Sequence, residues 1–389
     1  MKKVALVAAG VSKFGVRKAS YRDLIWEAGK ACFDSVPGVK PKDVEGLVVG
    51  SVMPERTAFQ SHISSLAAEA LGIKPSALSA RTEHMCASGT VGIRYAYAFI
   101  AAGLADLVMV LGVEKLNQPT GDEAILNMGT GVDREWEAAF GLTAPPCFAL
   151  AAQRHMAQYG TTEEQLALVG VKNHNHAAKN PNAHFSKGAT LDQVLCSRMI
   201  STPLRLFMCS PITDGAAAVI LASEERARAL TDRPVWIRGT GQALDGFQLT
   251  SLHEDYAHWP AMKRAAQAAY KMAGIGPHNV DLAEVHDCFA IAELIAYEEL
   301  GFCHKGEAGP FVASGRSDYG GDVVVNPRGG LIGCGHPLGA TGVAQAAEVF
   351  VQLRDEAGAR QVDDAAIGLT HNNSGMGEHV VMLYGREAR

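Results

Sequence analysis

No two of the eight cysteines in this 389-residue chain are spaced Cys-x-x-Cys, no run of basic residues offsets the net charge of −6, and no apolar stretch is both long and uncharged. Each absence excludes something. Thiols scattered at 32, 86, 147, 196, 209, 288, 303 and 334 fit reduced cysteines of a cytoplasmic protein better than a disulfide framework or a zinc knuckle. The acidic balance leaves no electrostatic footprint for nucleic acid. The longest apolar region, 91–113, carries Arg94 and Asp106, which would be costly in a bilayer, so we expect no membrane partner. The apolar N-terminus, residues 4–10, is short and lacks a cleavage-type context, which favours a first strand over an export leader. His174 and His176 invite a metal reading, but a spacing of two puts them on different faces of a helix, and no metal is expected there.

What is present is a globular α/β composition, 48% hydrophobic and 20% charged, long enough for two core-bearing units. The chain also repeats itself. Residues 41–50, Pro-Lys-Asp-Val-Glu-Gly-Leu-Val-Val-Gly, match 277–286, Pro-His-Asn-Val-Asp-Leu-Ala-Glu-Val-His, at an offset of 236. Cys86 and His336 correspond at an offset of 250, and Gly215 and Gly377 at 162. The fall of 88 between the last two offsets places an insertion of that size in the first half, between its cysteine helix and its closing strand. Periodicity predicts equivalent helices over 21–36 and 260–273. The apolar runs 107–112 and 218–221 read as parallel central strands. The insert, with Pro145-Pro146 and a helix start at Thr161-Thr162-Glu163-Glu164, is placed to cover a site.

Two motifs occupy matching places in the halves. Cys86, in Met85-Cys86-Ala87-Ser88-Gly89, and His336, in Gly335-His336-Pro337-Leu338-Gly339, each stand three residues before a glycine that opens a helix. A free cysteine is most often a buried small hydrophobe. Here its histidine counterpart points instead to a nucleophile and its base, with the helix dipole lowering the thiol pKa. The glycines around His336 do not have dinucleotide-loop spacing. Glu284-Val285-His286-Asp287-Cys288-Phe289 ends an apolar run with titratable groups that are poor choices for simple packing. Residues 370–377, Thr-His-Asn-Asn-Ser-Gly-Met-Gly, read as a flexible polar turn able to aim amides at an anion; a plain hairpin is the alternative.

Together with Cys209-Ser210-Pro211-Ile212-Thr213-Asp214-Gly215, these motifs, in this order along the whole chain, resemble the thiolase superfamily in its sterol-carrier-protein-like and archaeal-type branch. The resemblance implies an α/β fold of duplicated βαβαβαββ halves stacked in five layers, α-β-α-β-α. The N-terminal half is expected over 1–225, with an inserted loop domain at about 117–208, and the C-terminal half over 226–389. It implies thiolytic cleavage of a 3-oxoacyl-CoA, or the reverse Claisen condensation, through an acyl group on Cys86. His336 would be the base, and His286 with His336 the donors to the enolate oxygen. The amides of Cys86 and of the turn at Asn373 and Gly375 would hold the tetrahedral oxyanion. Many thiolases carry Asn-Glu-Ala-Phe at the middle motif and Cys-x-Gly at the last turn; here His371 stands at that cysteine and Asn373 at that glycine, so Cys288 is expected to take the acid/base role.

Coenzyme A is then a substrate, and neither cofactor nor metal is implied. Substrate-binding candidates are Met85, Ser210, Lys172 and Lys179, the two lysines being the insert's cations suited to CoA phosphates. Their scarcity makes a small zinc-bearing OB-fold partner, frequent in this branch, an expectation. The polar stretch 77–84 reads as an exposed sheet edge, and the resemblance implies association through it, so a homodimer or dimer of dimers is expected, with the residues just before Cys86 at the interface and Met85 or a neighbour reaching towards the partner's site. Two other readings stay open: a ketoacyl-synthase-like condensing enzyme, which would not need Cys288, and a non-catalytic CoA-binding scaffold. The acyl group also stays open, from acetoacetyl to branched or aromatic groups of the benzoylsuccinyl type.

Overall fold

The computed structural model of the chain describes residues 2–117, 121–247 and 255–388. The first half runs β1 (Val4–Val11), α1 (Tyr21–Asp34), β2 (Gly46–Gly50), α2 (Pro54–Thr57), α3 (Ile63–Leu71), β3 (Leu78–Thr82), α4 (Ser88–Ala101) and β4 (Leu107–Glu114). An excursion follows through α5 (Gly121–Met128), α6 (Ala144–Tyr159), α7 (Glu163–Ala177), α8 (Leu191–Leu195), β5 (Met199–Ser201) and β6 (Leu204–Arg205). The chain then returns as β7 (Gly215–Ser223) and α9 (Glu224–Leu230). The second half is β8 (Val235–Leu244), α10 (Pro260–Ala273), β9 (Leu282–Glu284), α11 (Ala290–Glu299), α12 (Ala308–Ala313), β10 (Val324–Val325), α13 (Gly330–Cys334), α14 (Leu338–Gln352), β11 (Ile367–Ser374) and β12 (Glu378–Gly385).

Local signals account for the long helices. Ser20 and Asp23 form a reciprocal capping box on α1, and Thr162 does the same with Gln165 on α7. Pro260 starts α10 and Gly274, at φ 72°, ends it. None of the described helices is long and apolar enough to cross a membrane.

Among the described residues ten strands form one sheet in the order β10-β9-β11-β12-β8-β1-β7-β4-β2-β3. Read outward from the β8–β1 junction, each half follows the same order: first strand, fifth, fourth, second, third. The duplication is therefore visible as topology. The two half-sheets join only where Ala5 and Leu6 pair with Trp236 and Val235, and they fold around α4 and α14. Inward-facing Val48, Val108, Val219 and Met382 pack on Ile93, Ala96, Val343 and Ala347 of those helices. The outer face of the first half-sheet buries α1, α3 and α9, and that of the second buries α10 and α11. Helix, sheet, helix, sheet, helix are the five layers.

Two expectations change. β7 is antiparallel to both neighbours, β1 and β4, although its run looked like a parallel strand. A strand buried on both faces is apolar throughout in either direction, and the direction is set by the excursion that precedes it. The excursion's helices α6 and α7 pack mainly on the other half; Phe148, Ala152, Leu166 and Val169 join the core of the second half with Ile291 and Leu294. The edge expectation survives: among the described residues β3 ends the sheet and pairs only with β2.

Where α14 begins, the backbones of α4 and β4 come up against that of Gly339. A Cβ on Gly112 would lie 2.3 Å from the Gly339 carbonyl oxygen, and one on Gly89 would lie 2.7 Å from the same atom. Gly112→Ala should therefore lower stability by about 1–3 kcal/mol or more. Gly129→Ala, where no atom lies within 4 Å, should change it by less than about 0.5 kcal/mol. Coincident urea midpoints for the two variants would show that the contact of β4 with the start of α14 is not tight.

Candidate active site

Between β3 and α4 the backbone turns sharply, with Met85 in the left-handed region at φ 43°. Ser88 pins this turn by donating from Oγ to the Met85 carbonyl (2.6 Å) and accepting the His84 amide (2.9 Å). Cys86 therefore sits immediately before Ala87, the N-cap of α4, which supplies no capping side chain. In the second half His336 occupies the same place before Pro337, the N-cap of α14. The free amides of α14 meet Glu114, buried at the end of β4, whose carboxylate accepts from Gly339 (3.1 Å) and from Val52 (2.8 Å).

The crossing brings the two motifs together. His336 Nε2 lies 3.2 Å from Cys86 Sγ, and its Nδ1 lies 2.7 Å from Thr341 Oγ1. The His286 ring stands edge-on to His336 at 5.0 Å, and Cys86, His286 and His336 bring one ligand atom each to within 4.8 Å of one another. Cys288 lines the same cavity, about 290 Å³ in volume, whose walls are mainly apolar. Leu338 and Phe289 come from the core, Met128, Val132, Pro145 and Phe148 from the excursion. Ser210 and Ile212 line it too; the Ser210 amide donates to the Cys288 carbonyl at 2.9 Å, and Ile212 bridges to His336. Gly375 and Met376 close one side.

Other residues singled out by sequence lie elsewhere. Lys172 is buried, with its ammonium 2.9 Å from Glu293 and donating to the Val325 carbonyl at 2.7 Å, so it braces the core and is closed to phosphates. Lys179 is exposed over the Tyr319 ring at 4.2 Å and does not line the cavity. Met85, by contrast, lines the cavity of this chain, as expected of a substrate-binding candidate, and a Cβ on Gly131 would meet its methyl. The stretch 370–374 is not a flexible turn but buried strand β11, paired with β12 from Ile367 to Ser374. Alternation in that strand turns His371 and Asn373 to one face and Asn372 to the other. Asn373 donates to the Gly375 carbonyl at 2.6 Å and braces the hairpin; it does not line the cavity. The His371 ring is occupied, 3.1 Å from His379 Nδ1 and accepting the His286 amide at 3.5 Å. Asp287 accepts the Leu331 and Ile332 amides, a structural clamp on α13.

Sequence reasoning passed over Glu114, Thr341, Gln345 and Asn372. Glu114 carried a signal, an acid ending a fully apolar strand. Asn372 carried none, because nothing in its neighbours reveals which face of β11 is turned inward.

Burial sets the electrostatics. It pushes the Cys86 thiol up to about 12, against the expectation that the helix dipole would bring it down, and the Cys288 thiol well up as well. Burial also lowers His336 to about 3, with the Arg328 charge adding to it, and holds His286 well below the usual imidazole range. Burial therefore favours the uncharged thiol and the uncharged imidazole, whose Sγ and Nε2 lie 3.2 Å apart. Because the thiol titrates far above neutrality, alkylation of Cys86 by iodoacetamide should accelerate about tenfold per unit from about pH 6 to about pH 10. A plateau beginning near pH 7 would mean that a thiolate–imidazolium pair already stands in the free protein.

Comparison with known proteins agrees with this geometry. Residues 4–190 match the family "Thiolase, N-terminal domain" and residues 241–386 "Thiolase C-terminal domain-like". The chain is 45% identical to the acetyl-CoA acetyltransferase of Methanothermobacter thermautotrophicus, over 97% of each chain. It is 37% identical to sterol carrier protein 2 of Bos taurus, over 98% of this chain and 72% of that one. Among solved structures, an "Ltp2-ChsH2(DUF35) aldolase" chain superposes with a TM-score of 0.86 at 28% identity, covering 100% of this chain and 99% of that one. By its two domains, its full-length relatives and its paired cysteine and histidine helices, the chain belongs to the thiolase family, as an acyltransferase of its archaeal and sterol-carrier-like branch.

Proposed function

We propose that the chain cleaves 3-oxoacyl-CoA esters with coenzyme A, or runs the reverse condensation, through an acyl group on Cys86. The observation that carries this reading is the 3.2 Å contact between His336 Nε2 and Cys86 Sγ, with a second thiol, Cys288, in the same cavity. His336 takes the Cys86 proton as the sulfur attacks the keto carbon. The C2–C3 bond breaks, and its electron pair moves onto the thioester as an enolate whose oxygen faces His286. Cys288 delivers its proton to C2 and the first acyl-CoA leaves. The Cys288 thiolate, which burial makes a strong base, then deprotonates incoming coenzyme A, whose sulfur takes the acyl group from Cys86. The proton held by His336 returns to Cys86. No metal enters this scheme, because the thioester carbonyl stabilises the carbanion. A ketoacyl synthase would have no step for Cys288.

Acetoacetyl-CoA is the proposed first substrate, in line with the acetyltransferase relative, and the apolar cavity leaves room for larger acyl groups. Among the described residues lining the cavity there is no lysine or arginine. The CoA phosphates therefore need cations from outside it, and a second copy or a partner chain is proposed to supply them. The solved structure whose title pairs it with a DUF35 chain supports that reading.

Cys86→Ser should fold, lose turnover by about a thousandfold or more, and show no acyl adduct by mass spectrometry after exposure to acetoacetyl-CoA. Turnover within tenfold of wild type would remove Cys86 from its role.

Cys288→Ala should still be acylated at Cys86 while exchange of the C2 proton of acetyl-CoA falls by about 10²–10⁴-fold. If His371→Ala abolished that exchange and Cys288→Ala did not, the acid would be the histidine.

A further inference from the structure

A neutral imidazole carries one ring proton, and only an Nε2–H ring can donate to an oxyanion in the cavity while Nδ1 is engaged behind it. His286 Nδ1 lies 3.1 Å from Asn372 Nδ2. The orientation of that amide decides the matter, and it is set two residues further back. Gln345 Nε2 reaches the carbonyl oxygens of Val285 and His371, both at 3.3 Å, and both can only accept. Gln345 therefore presents Oε1 to Asn372, whose Nδ2 donates to it at 2.7 Å. The second hydrogen of the same Nδ2 is left for His286 Nδ1. Turning Asn372 over would set two carbonyl oxygens against each other. In the observed orientation Asn372 Oδ1 is buried without a donor, a deficit left standing on the side away from the ring.

We propose that Asn372, held by Gln345, is a positioning residue that locks His286 as the Nε2–H tautomer, which makes the ring an oxyanion donor and denies the Cys86–His286–His336 cluster to metal ions. The inference rests on the thiolase reading of the site. Its second part follows from the first. The three ligand atoms lie within 4.8 Å of one another, a spacing from which zinc could be gripped, but a metal needs the Nε2 lone pair and a proton on Nδ1. With a donor behind Nδ1, that tautomer is unfavourable. A soft-ligand cluster that could be poisoned by zinc is kept catalytic by one amide. Burial favours the uncharged forms of the other groups that act on the ring or share its cavity, His336, His371, His379 and Cys288.

The test is to reverse the partner. In Asn372→Asp the carboxylate accepts from Nδ1–H and frees Nε2 as a lone pair. With 15N-labelled histidine, and the His286 signal assigned by its loss in His286→Gln, the wild type should show the Nε2–H pattern at about pH 8.5 and the Asp variant the Nδ1–H pattern. The variant's kcat should fall by about 10²-fold or more with KM within about threefold. Its affinity for added Zn²⁺, read by chelator-reversible inhibition and by protection of Cys86 from alkylation, should tighten about 10–100-fold. A wild-type His286 of the Nδ1–H form overturns the proposal whether or not the variant folds. So does an Asp variant whose ring is Nδ1–H yet turns over within threefold of wild type. Absence of an acyl adduct on Cys86 would instead defeat the thiolase reading and leave the tautomer result standing.

Discussion

The close approach of α4 to α14 is the contact on which the site depends. Backbone meets backbone there, Gly89 of α4 against Gly339 of α14, with Gly50 of β2 and Gly112 of β4 closing on the same Gly339, and a Cβ on any of the four would clash. Each helix is entered through a turn that sets one reactive side chain just ahead of the N-cap. Packing the helices against each other therefore sets the 3.2 Å between Cys86 and His336, with no loop needed to adjust it. The two half-sheets wrap this pair, and the mirrored strand order follows from building each half around one of the two helices.

The second determinant is dryness. Nearly every titratable group at the site is buried, and burial favours the uncharged form of each: thiol for Cys86 and Cys288, imidazole for His286, His336 and His371. A site at rest without charge attracts little water and holds its donors oriented by hydrogen bonds alone. Thr341 stands behind His336 and Asn372 behind His286, and these uncharged partners place the two rings. In the proposed reaction charge develops on the reacting atoms, where a low dielectric makes each donor count for more. Glu114, raised to about 7 by burial, sits behind the α14 terminus and anchors it without facing the substrate.

The excursion between β4 and β7 serves both halves. It leaves the first half, packs α6 and α7 into the core of the second, and lays Met128, Val132, Pro145 and Phe148 over the cavity. A wall contributed this way can vary in side-chain size without disturbing the α4–α14 crossing, which separates the choice of acyl group from the chemistry.

Local sequence determined the helix over 260–273, the start of the helix expected over 21–36, which ends at Asp34, the repeat, the edge at β3 and the pairing of a cysteine with a histidine, because caps, periodicity and a repeated glycine spacing act within a few residues of each motif. It also identified His286 and Cys288, whose polarity in an apolar run has no packing purpose. Tertiary structure alone decided the rest. Lys172 looks like a surface cation until its buried partner Glu293, far along the chain, is in place. Strand β11 was marked as important, but the residue that reaches His286 from it is Asn372, between the two that drew notice. Which face of a strand turns inward is settled by the helix lying on it, here α14 through Gln345, and two-residue alternation cannot carry that information by itself.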